Sequence, residues 1–449
     1  MQYKVTAPAS LQQPLQISLP ASKSLSNRAL IMQGLCDTAC QLSNISDCDD
    51  TNVMLAAFGN DASRYSYAED GARIVDIGAA GTSMRFLTAY FASREGMEVV
   101  MTGSQRMKQR PIALLVDALR QLGAEIEYAA AEGFPPLRIH GKKLKGGPLT
   151  IDGSVSSQYI SALLMIAPTL TEGLQLTLSG SITSVPYIEM TLGMLNQFGI
   201  TSDWNRESNV ISIASQAYQT QRYHVESDWS ASSYWYEIAA LSASVSRPNS
   251  VTLEGLHPVS LQGDAAIAQF FDKLNVKSVY GEEAVTLNAG RKANDTPSTL
   301  ELGLTSQPDL AQTLIATCCA LNVPFRISGL HTLRIKETDR VAALETELRK
   351  LGYVVTDHLV PKKNVEENAD EDIKDMTCEM CWNGSRCEGD QVPVIATYKD
   401  HRMAMAFAPL SFVRPDHSIL IDDPAVVSKS YPNYWEDLKR AGFTIEALD

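Results

Sequence analysis

Residues 99 to 123 read VVMTGSQRMKQRPIALLVDALRQLG, from Val99 to Gly123, and their order decides the fold. A β-branched run turns at Gly103 into a polar loop, Pro111 stands where a helix would open, and an amphipathic stretch follows until Gly123 stops it. Proline at the first helical turn and glycine just past the last are the start and stop signals of a helix. The stretch therefore predicts a strand that leads through a loop into a helix over 112–122.

The same order recurs along the chain. Copies begin at Leu176 (LTLSG, with a helix over 188–198 and then Gly199), Val251 (VTLEG) and Phe325 (FRISG), with looser ones at Leu42 (LSNISD) and Ile419 (ILIDD). The six starts are separated by 57, 77, 75, 74 and 94 residues. An acidic, Asn- and Lys-rich stretch over 361–390 lengthens the last interval and reads as an inserted hairpin or loop. Strand-like runs at 74–77, 137–140 and 210–214, and Ser-rich helix openings from Ser154 and Ser227, fill the other intervals. Six strand-to-helix units predict a layered α/β fold. Two similar halves of three units place a cut near residue 228, giving two domains with substrate in the cleft between them.

The 449 residues suffice for two or three domains that bury their own cores. With 38 Lys+Arg against 52 Asp+Glu the net charge is −14, which argues against a protein that coats nucleic acid or anionic lipid. Cysteines bunch at Cys36, Cys40 and Cys48, at Cys318 and Cys319, and at Cys378, Cys381 and Cys387, which is no disulfide framework. The sequence shows no signal-peptide pattern and no apolar run of the roughly 20 residues that span a membrane, so no membrane association and a cytoplasmic location are expected. Three cysteines over 378–387 fall short of a tetrahedral zinc set. Phosphate loops ending in Gly-Lys-Ser/Thr, His-Glu-x-x-His and Gly-x-Gly-x-x-Gly are absent, so neither a metal nor a cofactor is expected.

Against this acidic background, ten cations sit in short polar segments where turns open into helices: Lys23, Arg28, Arg85, Arg106, Lys108, Arg110, Lys336, Arg340, Arg402 and Lys429. Backbone N–H groups at a helix start, with Ser hydroxyls and cations beside them, bind phosphate or carboxylate. One such segment is an N-cap with solvated charges; six in one acidic chain point to a small, multiply anionic substrate. Lys336 and Arg340, four apart, are expected on one helical face with Glu337 beside them. Glu337 and Asp309, carboxylates among cations at helix starts, are the candidates for proton transfer.

Six segments taken together resemble the 5-enolpyruvylshikimate-3-phosphate synthase family of enolpyruvyl transferases. They are Pro20-Ala-Ser-Lys-Ser-Leu-Ser-Asn-Arg, Ala80-Gly-Thr-Ser-Met-Arg, Arg106-Met-Lys-Gln-Arg-Pro, Ser154-Val-Ser-Ser-Gln-Tyr, Arg334-Ile-Lys-Glu-Thr-Asp-Arg and Tyr398-Lys-Asp-His-Arg-Met-Ala-Met, in order over nearly the whole chain. The resemblance implies transfer of the enolpyruvyl group of phosphoenolpyruvate to the 5-hydroxyl of shikimate 3-phosphate, through a tetrahedral intermediate, with release of phosphate. It implies an inside-out α/β barrel in each of two domains, three βαβαββ units apiece, closing over the substrates. One domain would combine residues 1–20 with 229–449 and the other would span 21–228.

By the same resemblance, shikimate 3-phosphate would be held by Lys23, Ser24, Arg28, Ser156, Ser157, Gln158, Ser184, Tyr187, Asp309 and Lys336. Phosphoenolpyruvate would be held by Lys23, Gly81, Arg110, Arg340, Arg402 and Lys429. Asp309 would assist deprotonation of the hydroxyl, Glu337 would protonate the methylene carbon, and Lys23 would carry protons and stabilise charge. A monomer acting on these two small molecules, without nucleic acid, is expected. Ala21, Ala79, Phe86 and Thr332 stand where the family commonly carries Gly, Asn, Pro and Asn. Two other readings compete: the enolpyruvyl transferase acting on UDP-N-acetylglucosamine, against which the Cys-free segment 106–110 speaks, and a non-catalytic anion-binding protein, against which Asp309 and Glu337 speak.

Overall fold

A computed structural model describes residues 1–59, 66–154, 156–219, 222–246, 248–290, 298–361 and 376–448. Each of the six sequence copies is a strand followed by a helix. The strand Leu174–Ser179, for example, pairs in parallel with Gly147–Asp152, with Leu174 opposite Gly147. The helix Ser157–Ile166 connects the two, because a parallel pair cannot be closed by a tight turn. The helix Val185–Gln197 then leads to Asp203–Asn205 and Val210–Ile213, the latter antiparallel to Leu174–Ser179. The other copies contribute the strands Gln41–Ser43, Glu98–Thr102, Asn249–Glu254, Phe325–Ser328 and Ser418–Asp422, each to a sheet of its own.

The first helix of each repeat is buried on most sides, polar residues included: Ser26, Asn27 and Arg28 are enclosed along with their apolar neighbours. Lys23–Leu35, Gly81–Ala92 and Ser157–Ile166 bury nearly every side chain, as do Trp229–Val245, Ala311–Ala320 and His401–Phe407. The motifs at Lys23, Gly81, Ser156 and Asp400 lie at the starts of four of these helices, capped by Ser22, Ser156 and Asp400 where a side chain caps, and Asp228 caps a fifth; the motifs at Arg106 and Arg334 lead instead into Ala113–Gln121 and Arg340–Lys350. The architecture is thus α/β with helices inside and sheets outside.

The chain forms two compact units, Met1–Pro20 with Ser227–Asp449, and Ala21–Glu226. The first draws strands from distant stretches: Gln2–Thr6 pairs antiparallel with both Ser418–Asp422 and Thr444–Leu448, and Leu15–Ser18 lies parallel to Asn249–Glu254. Among the described residues, no helix is long and apolar enough to cross a membrane.

Two local expectations are corrected. Part of the stretch read as an insert is a central strand: Met376–Trp382 lies between Phe325–Ser328 and Thr356–Pro361, with Cys378, Met380 and Trp382 buried. Its alternating apolar residues outweigh the acidic composition around it; residues 362–375 of that stretch lie outside those described. Lys336 and Arg340 do not share a helical face either. Asp339 caps the helix Arg340–Lys350 by accepting from the Ala342 N–H at 3.1 Å, so Lys336 precedes the helix in extended backbone.

Within the first unit, Glu237 is wholly buried on the helix Trp229–Val245. Burial pushes its carboxyl well above the usual range, and the nearby Thr317 hydroxyl offsets only part of that. The unfolded chain ionises this group above its ordinary value while the folded chain keeps the proton, so stability is lost as pH rises. Glu237→Gln removes the linkage, at most about 1.4 kcal/mol per pH unit. The variant is expected to melt higher than the parent at pH 8 and to show a flatter stability profile between pH 5 and 8, measured by thermal denaturation.

Candidate active site

In the first unit three helix starts converge on one charged cluster. Asp309 lies in the short turn of 3₁₀ helix that feeds Ala311–Ala320, Ser230 in the first turn of Trp229–Val245, and Arg402 just inside His401–Phe407. Arg402 donates through Nη1 to the Asp309 carbonyl at 3.2 Å and through Nη2 to Asp309 Oδ2 and Ser230 Oγ, both at 3.4 Å. The two Nη2 contacts are long for hydrogen bonds, whereas the Nη1 bond to the carbonyl is of ordinary length. Lys336 Nζ reaches Asp309 Oδ1 at 3.2 Å.

Arg340 is the hub of the cluster. Only 2% exposed, it donates from Nε to Asp400 Oδ2 at 2.6 Å, from Nη1 to Asp309 Oδ1 at 2.9 Å, and from Nη2 to Glu337 Oε2 at 2.9 Å and Asp400 Oδ1 at 3.3 Å. Four of its five N–H groups are thereby engaged. Burial works against its charge, but Asp400, Glu337 and Asp309 outweigh it and hold the guanidinium more firmly protonated than usual. Burial likewise would raise Asp309, yet Lys336, Arg402 and Arg340 hold its carboxyl well below the usual range. Asp309 is therefore an ionised acceptor. Lys429 stands apart from these carboxylates and donates to the Lys399 carbonyl at 2.7 Å.

The second unit has a parallel arrangement around Arg28. Its guanidinium donates from Nε to Thr191 at 2.8 Å, from Nη1 to the Ser24 carbonyl at 2.9 Å, and from Nη2 to Ser161 at 3.0 Å and the Tyr187 carbonyl at 3.5 Å. One buried Arg thus braces the three helices that present Ser24, Ser156, Ser157, Gln158, Ser184 and Tyr187. Burial lowers its pKa to about 10, which still leaves it charged at neutral pH. Gln158 Nε2 donates to Thr82 at 3.0 Å, joining this group to the start of Gly81–Ala92. Lys23 Nζ pairs with Asp50 Oδ2 at 3.4 Å. A Cβ at Gly81 would lie 2.5 Å from Arg110 Nη1, so the absence of a side chain there lets the guanidinium lie against the helix start.

The structure therefore gathers the expected residues into two clusters: Asp309, Lys336, Glu337, Arg340 and Arg402, with Lys429 joined to it only through the Lys399 carbonyl, and separately the group around Arg28, Lys23 and Gly81. Sequence reasoning missed Asp50, Ser230, Tyr234, whose hydroxyl meets Arg402 Nη1 at 3.5 Å, and Asp264, which accepts from Ser230. Burial pushes Asp264 up to about 6, with Arg402 pulling the other way. No fixed spacing links these residues to the motifs they serve. Among the described residues no three His, Cys, Asp or Glu side chains come together as a metal set.

A family model described as EPSP synthase (3-phosphoshikimate 1-carboxyvinyltransferase) matches residues 5–438. A protein named 3-phosphoshikimate 1-carboxyvinyltransferase from Bacteroides fragilis (strain YCH46) is 48% identical over 446 residues, 99% of each chain. One of the same name from Mannheimia haemolytica is 35% identical over 95% of this chain and 96% of its own. The solved EPSP synthase of Acinetobacter baumannii superposes with a TM-score of 0.71 at 20% identity, over 99% of this chain and 100% of that one, a likeness of fold.

Proposed function

This chain belongs to the EPSP synthase family, and from that premise we propose how its residues carry out the family's reaction. The enzyme is a 3-phosphoshikimate 1-carboxyvinyltransferase of the shikimate pathway: it moves the enolpyruvyl group of phosphoenolpyruvate onto the 5-hydroxyl of shikimate 3-phosphate and releases phosphate. The observation that carries the residue assignment is the convergence of Asp309, Glu337, Arg340 and Arg402 at three helix starts.

Shikimate 3-phosphate is assigned to Lys23, Ser24, Arg28, Ser156, Ser157, Gln158, Ser184, Tyr187, Asp309 and Lys336. Phosphoenolpyruvate is assigned to Lys23, Gly81, Arg110, Arg340, Arg402 and Lys429. Arg28 and Arg340 each have one N–H left on Nη1, so both act mainly by holding neighbours and by their charge.

In the addition step the 5-hydroxyl gives its proton to Asp309 as its oxygen bonds to C2 of phosphoenolpyruvate. Glu337, ionised in its pair with Arg340, first takes up a proton from solvent as the substrates' anionic groups draw on that guanidinium, and then protonates the methylene carbon, which becomes a methyl group. Asp309, held well below the ordinary carboxylate range, is too weak a base to ionise a resting alcohol. It takes the proton only as the forming C–O bond makes that oxygen acidic. The product is a tetrahedral ketal phosphate. In elimination the methyl carbon returns a proton to Glu337, the C2–O bond to phosphate breaks, and the departing phosphate takes the proton held since addition, with Lys23 stabilising its charge.

The test is phosphate release by the purified protein, in the presence of chelator, with phosphoenolpyruvate and either shikimate 3-phosphate or UDP-N-acetylglucosamine. Release with shikimate 3-phosphate alone is the expected result. Release with the nucleotide sugar instead, or with neither, overturns the reading.

A further inference from the structure

The backbone that enters the helix His401–Phe407 is strained. Tyr398 and Lys399 are consecutive non-glycine residues with φ of 53° and 58°, in the left-handed region where Cβ crowds the following carbonyl. What holds them there is Glu347, on the helix Arg340–Lys350 and wholly buried. Its Oε1 accepts the Tyr398 hydroxyl at 2.6 Å, and its Oε2 accepts the Ala396 N–H at 3.1 Å and the Lys350 ammonium at 2.7 Å. The clamp thus grips the segment before the strained pair and the first residue of the pair itself.

That turn does two things. It presents the Lys399 carbonyl, which anchors Lys429 Nζ at 2.7 Å. It also delivers Asp400, which caps the helix by accepting from the Arg402 N–H at 3.0 Å and holds Arg340 Nε at 2.6 Å. A relaxed backbone at 398–399 would move both the carbonyl and the helix start.

We propose that Glu347 is a positioning residue for phosphoenolpyruvate: by clamping the Tyr398–Lys399 turn it sets the places of Lys429, Asp400 and Arg402. This rests on the reading of Lys429 and Arg402 as phosphoenolpyruvate cations. A bland alternative has Glu347 only neutralising Lys350 and filling the core, and the two differ in what glycine does. Glycine adopts φ near 58° without the penalty a side chain brings, so at position 399 it lowers the cost of the turn while leaving the carbonyl in place.

Steady-state kinetics of E347A, Y398F, and each combined with K399G provide the test. E347A is expected to raise KM for phosphoenolpyruvate about tenfold or more, and Y398F about fivefold, each leaving KM for shikimate 3-phosphate within about twofold; adding K399G recovers about fivefold, the lower bound of the left-handed penalty. An unchanged KM for phosphoenolpyruvate, an equal rise in both KM values, or no recovery with glycine overturns the proposal. Should E347A fail to fold, Y398F and Y398F/K399G, which lose one hydroxyl, decide the matter. Absence of transferase activity in the unaltered protein would instead overturn the functional reading, so the two failures are told apart.

Discussion

Arg340→Met is expected to lower the unfolding free energy by about 3–5 kcal/mol, the cost of leaving buried charges without their partner. Three carboxylates depend on this guanidinium: Asp400 is wholly buried, while Asp309 and Glu337 retain 17% and 22% of their side-chain exposure. Met fills similar volume, so the loss reports the charge and its hydrogen bonds. Turnover is expected to vanish with it, since Asp309 and Glu337 lose the group that spaces them. Arg340→Lys should rescue little. A single ammonium cannot reproduce a fork that meets Asp400 through two nitrogens and Asp309 and Glu337 besides. Urea denaturation with activity assays on the same samples checks both parts; stability within 1 kcal/mol of the parent, a margin well under the loss expected, would show that Arg340 is not the brace.

Glu337→Gln is the complementary case. Gln keeps the shape and can still accept from Arg340, and the lost ion pair is partly exposed, so stability is expected to fall by no more than about 1 kcal/mol. Gln cannot deliver a proton to carbon. A drop in kcat of about 10²–10⁴ is expected, with KM for both substrates little changed. Near-normal turnover would remove Glu337 from the mechanism. Together the variants separate brace from chemistry: one loses fold and function, the other function alone.

Much of the fold is legible because its signals are local. Runs such as VVMTG and LTLSG end in glycines that a strand-to-helix turn uses, and the strands Glu98–Thr102 and Leu174–Ser179 lie where those runs stand. Met376–Trp382 was obscured because its neighbours in sequence are acidic and the residues it pairs with lie 15 or more positions earlier in the chain. The charged motifs were legible as segments, since helix starts concentrate Ser, Lys and Arg for an electrostatic reason. Their pairings were not. Lys23 with Asp50, Ser230 with Asp264, and Glu347 with Tyr398 are contacts made by packing, and no periodicity within one element foretells them. The helical face assumed for Lys336 and Arg340 failed for a related reason: Asp339 is a better cap than interior residue, and it starts the helix one residue before Arg340.

The strand Gln2–Thr6 bears on how the molecule is made. Both of its partners, Ser418–Asp422 and Thr444–Leu448, leave the ribosome more than 400 residues later, an interval of roughly 20–90 s at ordinary elongation rates. The sheets of the unit Ala21–Glu226 draw all their strands from within that span and can form during that wait, whereas the sheet built on Gln2–Thr6 stays open until Thr444–Leu448 has emerged. For that interval the nascent chain carries an unpaired β-strand, a template for wrong pairing that the cell must shield.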